Sequence, residues 1–273
     1  NDVLLRGTVK GPLQRLSMQL EATTSRSAQP VAARLQLAGE LGNVMDPDRL
    51  YYDMGVDTIW LSRMEMNAYL PDSFPAYIEL PEAVALTGKL KGTMDTVFAD
   101  LDLKAYRDTL ISEVQLAGTV DSFTNIKVLA YDLKLNELIV QPEEMAAYLP
   151  DSTLPHYLRL PLIEHGEGAF RGDLANIDAQ FEIDLSDGAI VADAKLKDSA
   201  YVANLALQNF YIQGLFADST AYDTVVGWPA PPIDLQVIAD GRGLDIERDL
   251  RADASVRLRF LGDTIRWEEG LVL

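Results

Sequence analysis

The chain is expected to be all-β: one long antiparallel sheet of repeated strands, with few and short helices. Three observations lead there. Apolar residues alternate with a period of two through most of the sequence, helix signals are sparse, and a segment of about 80 residues occurs twice in register. Period-two alternation is what a strand with one covered face requires, because successive side chains point to opposite sides.

In chain order, residues 17–20 and 33–37 alternate first. Val84, Leu86 and Leu90 then share one side of a strand, with Ala85, Thr87 and Lys89 on the other, and Leu101-Asp102-Leu103 keeps the same rhythm. Residues 113–117, 179–185, 203–207, 233–238 and 255–260 continue it, with Gly, Pro, Asp or Ser between them. Parity changes within 126–135, which points to a bulge. Two stretches have helix-start chemistry, Pro142-Glu143-Glu144-Met145-Ala146-Ala147-Tyr148 and Ser62-Arg63-Met64-Glu65-Met66-Asn67-Ala68-Tyr69. One or two turns each is the expectation. The chain opens at Asn1 without an initiator Met and closes on the strand-like Gly270-Leu271-Val272-Leu273, so it is expected to be a piece of a longer protein.

The repeat is specific. Ala68-Tyr-Leu-Pro-Asp-Ser-Phe-Pro-Ala-Tyr-Ile-Glu-Leu-Pro81 aligns with Ala147-Tyr-Leu-Pro-Asp-Ser-Thr-Leu-Pro-His-Tyr-Leu-Arg-Leu-Pro161 at ten of fourteen paired positions once Thr153 is an insertion. Leu35-Gln-Leu-Ala-Gly39 matches Val114-Gln-Leu-Ala-Gly118, Tyr52-Asp53 matches Tyr131-Asp132, and Gly88-Lys-Leu-Lys-Gly92 matches Gly168-Ala-Phe-Arg-Gly172. The chain is therefore one elongated repeat region, with a partial unit at 1–34, units at 35–113 and 114–193, and a degraded unit at 194–273. Each unit should hold about four strands and a proline-rich corner, since Leu-Pro steps deny ladder donors and suit a turn or edge. The paired glycines are expected to punctuate strands, at a tight reversal or a bulge.

Composition removes several functions. With 42 acidic against 23 basic residues the net charge is −19, which repels nucleic-acid phosphates and a bare anionic membrane face. No cysteine is present, so disulfides and thiol chemistry are excluded. No apolar run reaches the 18 residues of a spanning helix.

Catalytic and metal signals are weak. Glu164, His165 and Glu167 could be drawn as metal ligands, but no helical His pair supports them, and His156 and His165 replace Ala76 and Ala85 of the other repeat. Asp184-Leu-Ser-Asp-Gly188 opens like a calcium loop, yet Lys195 stands where the twelfth-position Glu belongs, so a plain turn is expected. No nucleotide-binding glycine motif or nucleophile elbow occurs. Trp60, Trp228 and Trp267 are expected to be single packed residues and not a sugar platform. No enzyme activity, cofactor or metal is expected.

The Leu-Pro corner followed by an apolar strand, the Gly88 to Gly92 element and the Ala99-Asp-Leu-Asp-Leu103 strand resemble the AsmA-like superfamily, and within it most nearly the TamB family of translocation and assembly module subunits. That resemblance implies a β-taco, a long curved sheet folded into an open trough with a hydrophobic groove. It further implies a periplasmic segment of an inner-membrane-anchored protein of a Gram-negative envelope, carrying phospholipid acyl chains toward the outer membrane and supporting outer-membrane biogenesis. An outer-membrane β-barrel partner of the TamA or BamA kind would be met through regions outside this segment; no nucleic acid is implied.

Residues and resemblance meet at one physical point. Helical residues are too few to cover the apolar side of the sheet, so the sheet must curl on itself or accept another apolar body. By parity the groove residues are Val84, Leu86, Leu90, Val97, Leu101, Leu103, Val114, Leu116, Phe170, Phe181, Ile183 and Leu185. The bland account is a closed core between two sheets. The competing functions are a scaffold or chaperone that templates strands of outer-membrane client proteins, autotransporters among them, and an acidic polysaccharide enzyme built on a carboxylate pair.

Overall fold

Alternation carries further along the chain than its clearest stretches suggest. The computed structural model describes residues 2–26, 29–71, 74–75, 77–150, 153–218, 220, 223, 232–242, 251–260 and 263–272, and among them fifteen strands. Two compact units divide the chain, Asn1–Asn136 and Glu137–Leu273. The first holds β1 (Asp2–Lys10), β2 (Arg15–Arg26), β3 (Gln29–Gly42), β4 (Tyr51–Ser62), α1 (Arg63–Tyr69), β5 (Ala83–Thr93), β6 (Thr96–Arg107), β7 (Thr109–Asp121) and β8 (Ala130–Val140), which contains the boundary. The second continues with α2 (Pro142–Ala146), β9 (Ile163–Asp173), β10 (Ile177–Leu185), β11 (Gly188–Lys197), β12 (Ala200–Phe210), β13 (Ile233–Arg242), β14 (Arg251–Phe260) and β15 (Asp263–Val272).

Strands neighbour one another in chain order, β1 to β15, their pairings are antiparallel, and α1 and α2 are short. This is the expected all-β class. Individual strands run 9 to 14 residues, well beyond the four to seven that alternate most cleanly in sequence. The difference lies in the glycines. Gly88 and Gly92 stand inside β5, where no reversal occurs. Gly88 has φ +140°, and a Cβ there would fall on the Asp100 carbonyl oxygen, so glycine lets β6 approach without ending the strand. Opposite it, β4 carries a bulge between Val56 and Ile59 that absorbs an extra residue.

The parity change in 126–135 has a cause other than a bulge in that stretch. A 3-10 turn at Ile126–Val128, with the Asn125 side chain accepting from the Lys127 N–H, precedes β8 and resets its phase. Pro47–Arg49 forms the counterpart before β4.

A corner leaves the sheet after every fourth strand: 63–82 after β4, 141–162 after β8, and the described part of 211–232 after β12. The Arg63 N–H donates to the Glu82 carbonyl at 2.7 Å and the Glu82 N–H to the Tyr106 carbonyl at 2.8 Å, tying the first corner back to the strand ends. In the second unit Leu158 bridges to Phe216, and the Tyr157 and Phe216 rings stack with centroids 6.3 Å apart.

Buried apolar residues gather mostly at these corner ends: Ala32, Ala83, Ala105 and Ile111 in the first unit, Phe210 and Phe216 in the second. Apart from consecutive strands, α1 against β3 and β4 is the main contact between elements among the described residues. None of their helices is long and apolar enough to cross a membrane.

Candidate functional site

Cross-strand partners lie on one side of a sheet, so the register assigns every strand residue to a face. In the first unit, Leu86 pairs with Ile59, Ile59 with Leu35, Leu35 with Ala22 and Ala22 with Leu5; the other way, Leu86 pairs with Leu103 and Leu103 with Val114. Gly88 extends the next row through Val56, Leu37, Leu20 and Gly7, and on the other side through Leu101 and Leu116. Five such rows cross the strands from the row of Leu61 and Val84 to the row of Tyr52 and Gly92. None contains a charged residue, and Thr24, Ser112 and Tyr52 are their only polar side chains. Arg107, the last residue of β6, stands beyond these rows and pairs with Glu79 of the corner at 3.0 Å.

The second unit repeats the arrangement. Gly166, Ile183, Ile190, Leu207 and Leu235 form one row across β9 to β13, and Gly168, Phe181, Ala192, Leu205 and Val237 the next. Two further rows run from Phe170 to Ala239 and from Gly172 to Gly241. Tyr201 is the one polar side chain in the four. Register carries the apolar positions onto Ala252, Ala254 and Val256 of β14 and ends at β15, where Glu269 stands opposite Ala254.

The structure brings the sequence-derived groove residues together in two sets. Val84, Leu86, Leu90, Val97, Leu101, Leu103, Val114 and Leu116 all fall in the five rows of the first unit. Phe170, Phe181 and Ile183 fall in the rows of the second, with Leu185 on the same side opposite Gly188. Leu103 is 39% exposed, Leu185 is buried, and the remaining ten are half-buried. Phe170 and Phe181 meet edge to face with ring centroids 4.5 Å apart. The same parity also places Leu5, Leu20, Leu35, Leu37, Met54 and Ile59 on the first face and Ile177, Ile190 and Leu207 on the second, residues that the sequence reading left out.

From Val84 to Gly92 the first face measures roughly 27 Å along the strands, and from β1 to β7 roughly 29 Å across them. The stretch of sheet beneath it is about 800 Å². The seven-residue helix α1, which packs at β3 and β4, is about 10 Å long. Exposure stays high at the β1 side, where Val3 is 70% and Leu5 65% accessible.

Alongside these rows, in β1–β7 and β9–β13, charged residues lie on the opposite face, where some of them form ion pairs. Arg15 donates to Glu40 from two of its guanidinium nitrogens, at 2.8 and 2.9 Å, Lys91 meets Asp53 at 3.3 Å, Lys104 bridges Asp102 and Glu113, and Lys195 meets Asp178 at 3.4 Å. His165 lies on this polar face, its Nδ1 2.8 Å from Glu137 Oε1, and that hydrogen bond raises its pKa above the ordinary histidine value. Glu137 is a partner the sequence did not disclose. Among the described residues no group of three His, Asp or Glu is placed to hold a metal ion. Ser186 and Asp187 form the turn between β10 and β11. Trp60 lies on the polar face with its ring 5.4 Å from that of Tyr106; Trp228 lies outside the described residues.

Compared with known proteins, the chain matches no family model, no curated protein and no solved structure.

Proposed function

We propose that the chain is a segment of a lipid conduit, in which the apolar faces carry phospholipid acyl chains while head groups stay at the open side. In this reading it belongs to the periplasmic part of an inner-membrane-anchored, TamB-like protein of a Gram-negative envelope, and it needs no catalytic residue. The observation that supports this most is the uncharged, half-exposed face that crosses seven consecutive strands of the first unit. Passing an acyl chain through water exposes about 0.8 kcal/mol per methylene, so a 16-carbon tail forfeits on the order of 12 kcal/mol. An unbroken apolar track removes most of that barrier. A single charged side chain in it would restore part of the cost, because an ion in contact with hydrocarbon loses hydration.

The test is photocrosslinking. Crosslinkers at Leu101 and Phe181, with native mass spectrometry of the purified chain, should capture phospholipid at both positions. Crosslinkers on the polar face, at Asp100 and Glu182, should not. No lipid at Leu101 and Phe181, with client polypeptide captured instead at the exposed strand edges, would replace the conduit with the strand-templating scaffold, and equal lipid yields on both faces would sink it as well.

A further inference from the structure

At the margin away from the corners, the turns of the first unit carry large apolar side chains into solvent. Leu13 lies between β1 and β2, Val44 and Met45 between β3 and β4, Met94 between β5 and β6, and Phe123 and Val128 between β7 and β8. Each is exposed, Met45 to 77%. The pattern belongs to the repeat. Val44 and Phe123 stand 79 residues apart, each directly after a residue of positive φ, Asn43 at 55° and Ser122 at 57°, and each shortly before a 3-10 turn. Hydrogen bonds hold the tips. The Val44 N–H donates to the Leu13 carbonyl at 3.2 Å, the Phe123 N–H to the Asp95 carbonyl at 3.4 Å, and the Thr124 hydroxyl to Asp95 Oδ1 at 3.4 Å. Exposed apolar groups gathered on an anchored backbone mark a surface for a partner.

Charge selects that partner. The 3-10 turns Pro47–Arg49 and Ile126–Val128 hold equivalent places in the two repeats, but where the first has Asp48 the second has Lys127. Both are exposed, and neither side chain forms an ion pair with another described residue; Asp46, not Asp48, pairs with Arg49, at 3.7 Å. One margin therefore ends in an unpaired acid on one side and an unpaired base on the other. The two turns are four strands apart, roughly 19 Å at sheet spacing, and the β5–β6 turn with Met94 stands midway between them. Such a surface is complementary to itself, turned end for end. A membrane would not call for the opposite charges, and Asp46, Asp48, Asp95 and Asp121 around the tips oppose an anionic one.

We infer that this margin joins a second copy of the chain about a two-fold axis at Met94. The β3–β4 turn of each copy then meets the β7–β8 turn of the other, so Asp48 faces Lys127 twice and Val44 and Met45 pack on Phe123 and Val128. The four turns present about twenty residues a side, the low end of a standard interface, which corresponds to a dissociation constant on the order of tens of micromolar. The inference is independent of the lipid-carrying reading.

The test is sedimentation velocity of the full chain over a concentration series, with Asp48→Lys, Lys127→Asp and the double exchange. The parent should pass from monomer to dimer. Each single reversal makes both charge contacts repulsive and should weaken dimerisation about tenfold. The double exchange should restore it, as should mixing the two single variants, because their heterodimer regains both attractive contacts. Thermal midpoints should be equal throughout. The chain has no cysteine, so Met94→Cys supplies a single thiol that should oxidise to a crosslinked dimer across the axis, while Lys89→Cys on the polar face should not. A monomer at every concentration, or a double exchange as weak as the single reversals, overturns the assignment. Oligomers that grow past the dimer and ignore the reversals would be strand-edge pairing and overturn it too. A monomer that floats with phosphatidylcholine vesicles would make the tips a membrane contact instead.

Discussion

An acid placed at Leu103 and one placed at Val56 separate an open apolar face from a sealed core. Both residues lie in the uncharged rows of the first unit, but Leu103 is 39% exposed and Val56 only 3%. A fully buried leucine contributes about 2–3 kcal/mol, so Leu103→Asp forfeits about three-fifths of that, roughly 1–2 kcal/mol, and its carboxylate stays in water. Val56 sits between Leu37 and Gly88 beside the β4 bulge, with nowhere for a carboxylate to reach solvent. Val56→Asp loses the valine's burial and desolvates a charge, about 5 kcal/mol or more. Thermal unfolding followed by far-ultraviolet circular dichroism should show a fall of about 2–8 °C for Leu103→Asp and at least twice that for Val56→Asp. Equal falls would mean that a second layer seals the face at Leu103, and the reasoning from exposure to a lipid-accessible surface would be refuted.

Gly88→Ala should lower the unfolding midpoint by an amount equivalent to about 2–3 kcal/mol, because φ is +140° and the added Cβ meets the Asp100 carbonyl; a neutral result in a urea titration would contradict that backbone geometry. Asp198 and Ser199 both have positive φ in the two-residue turn between β11 and β12, the geometry that favours Asn-Gly, so Ser199→Gly should stabilise by about 0.5–1 kcal/mol in the same titration. The Glu137 hydrogen bond raises the His165 pKa in the folded chain, so this pair adds stability below the unfolded value of about 6.5 and loses it as pH rises through the folded value. The pair is partly exposed, so its effect is at most about 0.5 kcal/mol, and His165→Gln should flatten the thermal midpoint between pH 5 and 8 by no more than about 2 °C; a steeper pH dependence in the variant would reverse the sign.

Period-two parity made the apolar faces legible because it fixes sides within a strand without knowledge of its partners. Val84, Leu86 and Leu90 share a face through β5 alone. Extending that face across strands needs register, and register depends on features that are quiet in sequence: the bulge at Asp57 and Thr58, the positive φ of Gly88, the turn at Ile126–Val128. Glycines that resembled strand ends were positions of close backbone approach within longer strands. Glu137 and His165 are 28 residues apart, and nothing local couples them; only the register of β8 against β9 does. The tyrosines at the second position of β4, β8 and β12 show the opposite case. Tyr52 and Tyr131 stand 79 residues apart and align at sight, while Tyr201 follows after only 70, a shorter spacing that hides it from a fixed-period search.

The chemistry of the uncovered face bears on its occupant. Protein-binding surfaces concentrate binding energy in Trp, Tyr and Arg anchors, with hydrogen bonds at about one per 100–200 Å². The first unit's rows offer mostly aliphatic residues and glycine, with Tyr52 as their aromatic and no arginine. A client β-strand paired at a sheet edge would find backbone partners there, whereas one laid on that apolar face would bring N–H and C=O groups that find none, at a cost for each one buried. Hydrocarbon has no such groups. It needs only contact and the absence of charge, and the rows of the first unit contain no charged residue.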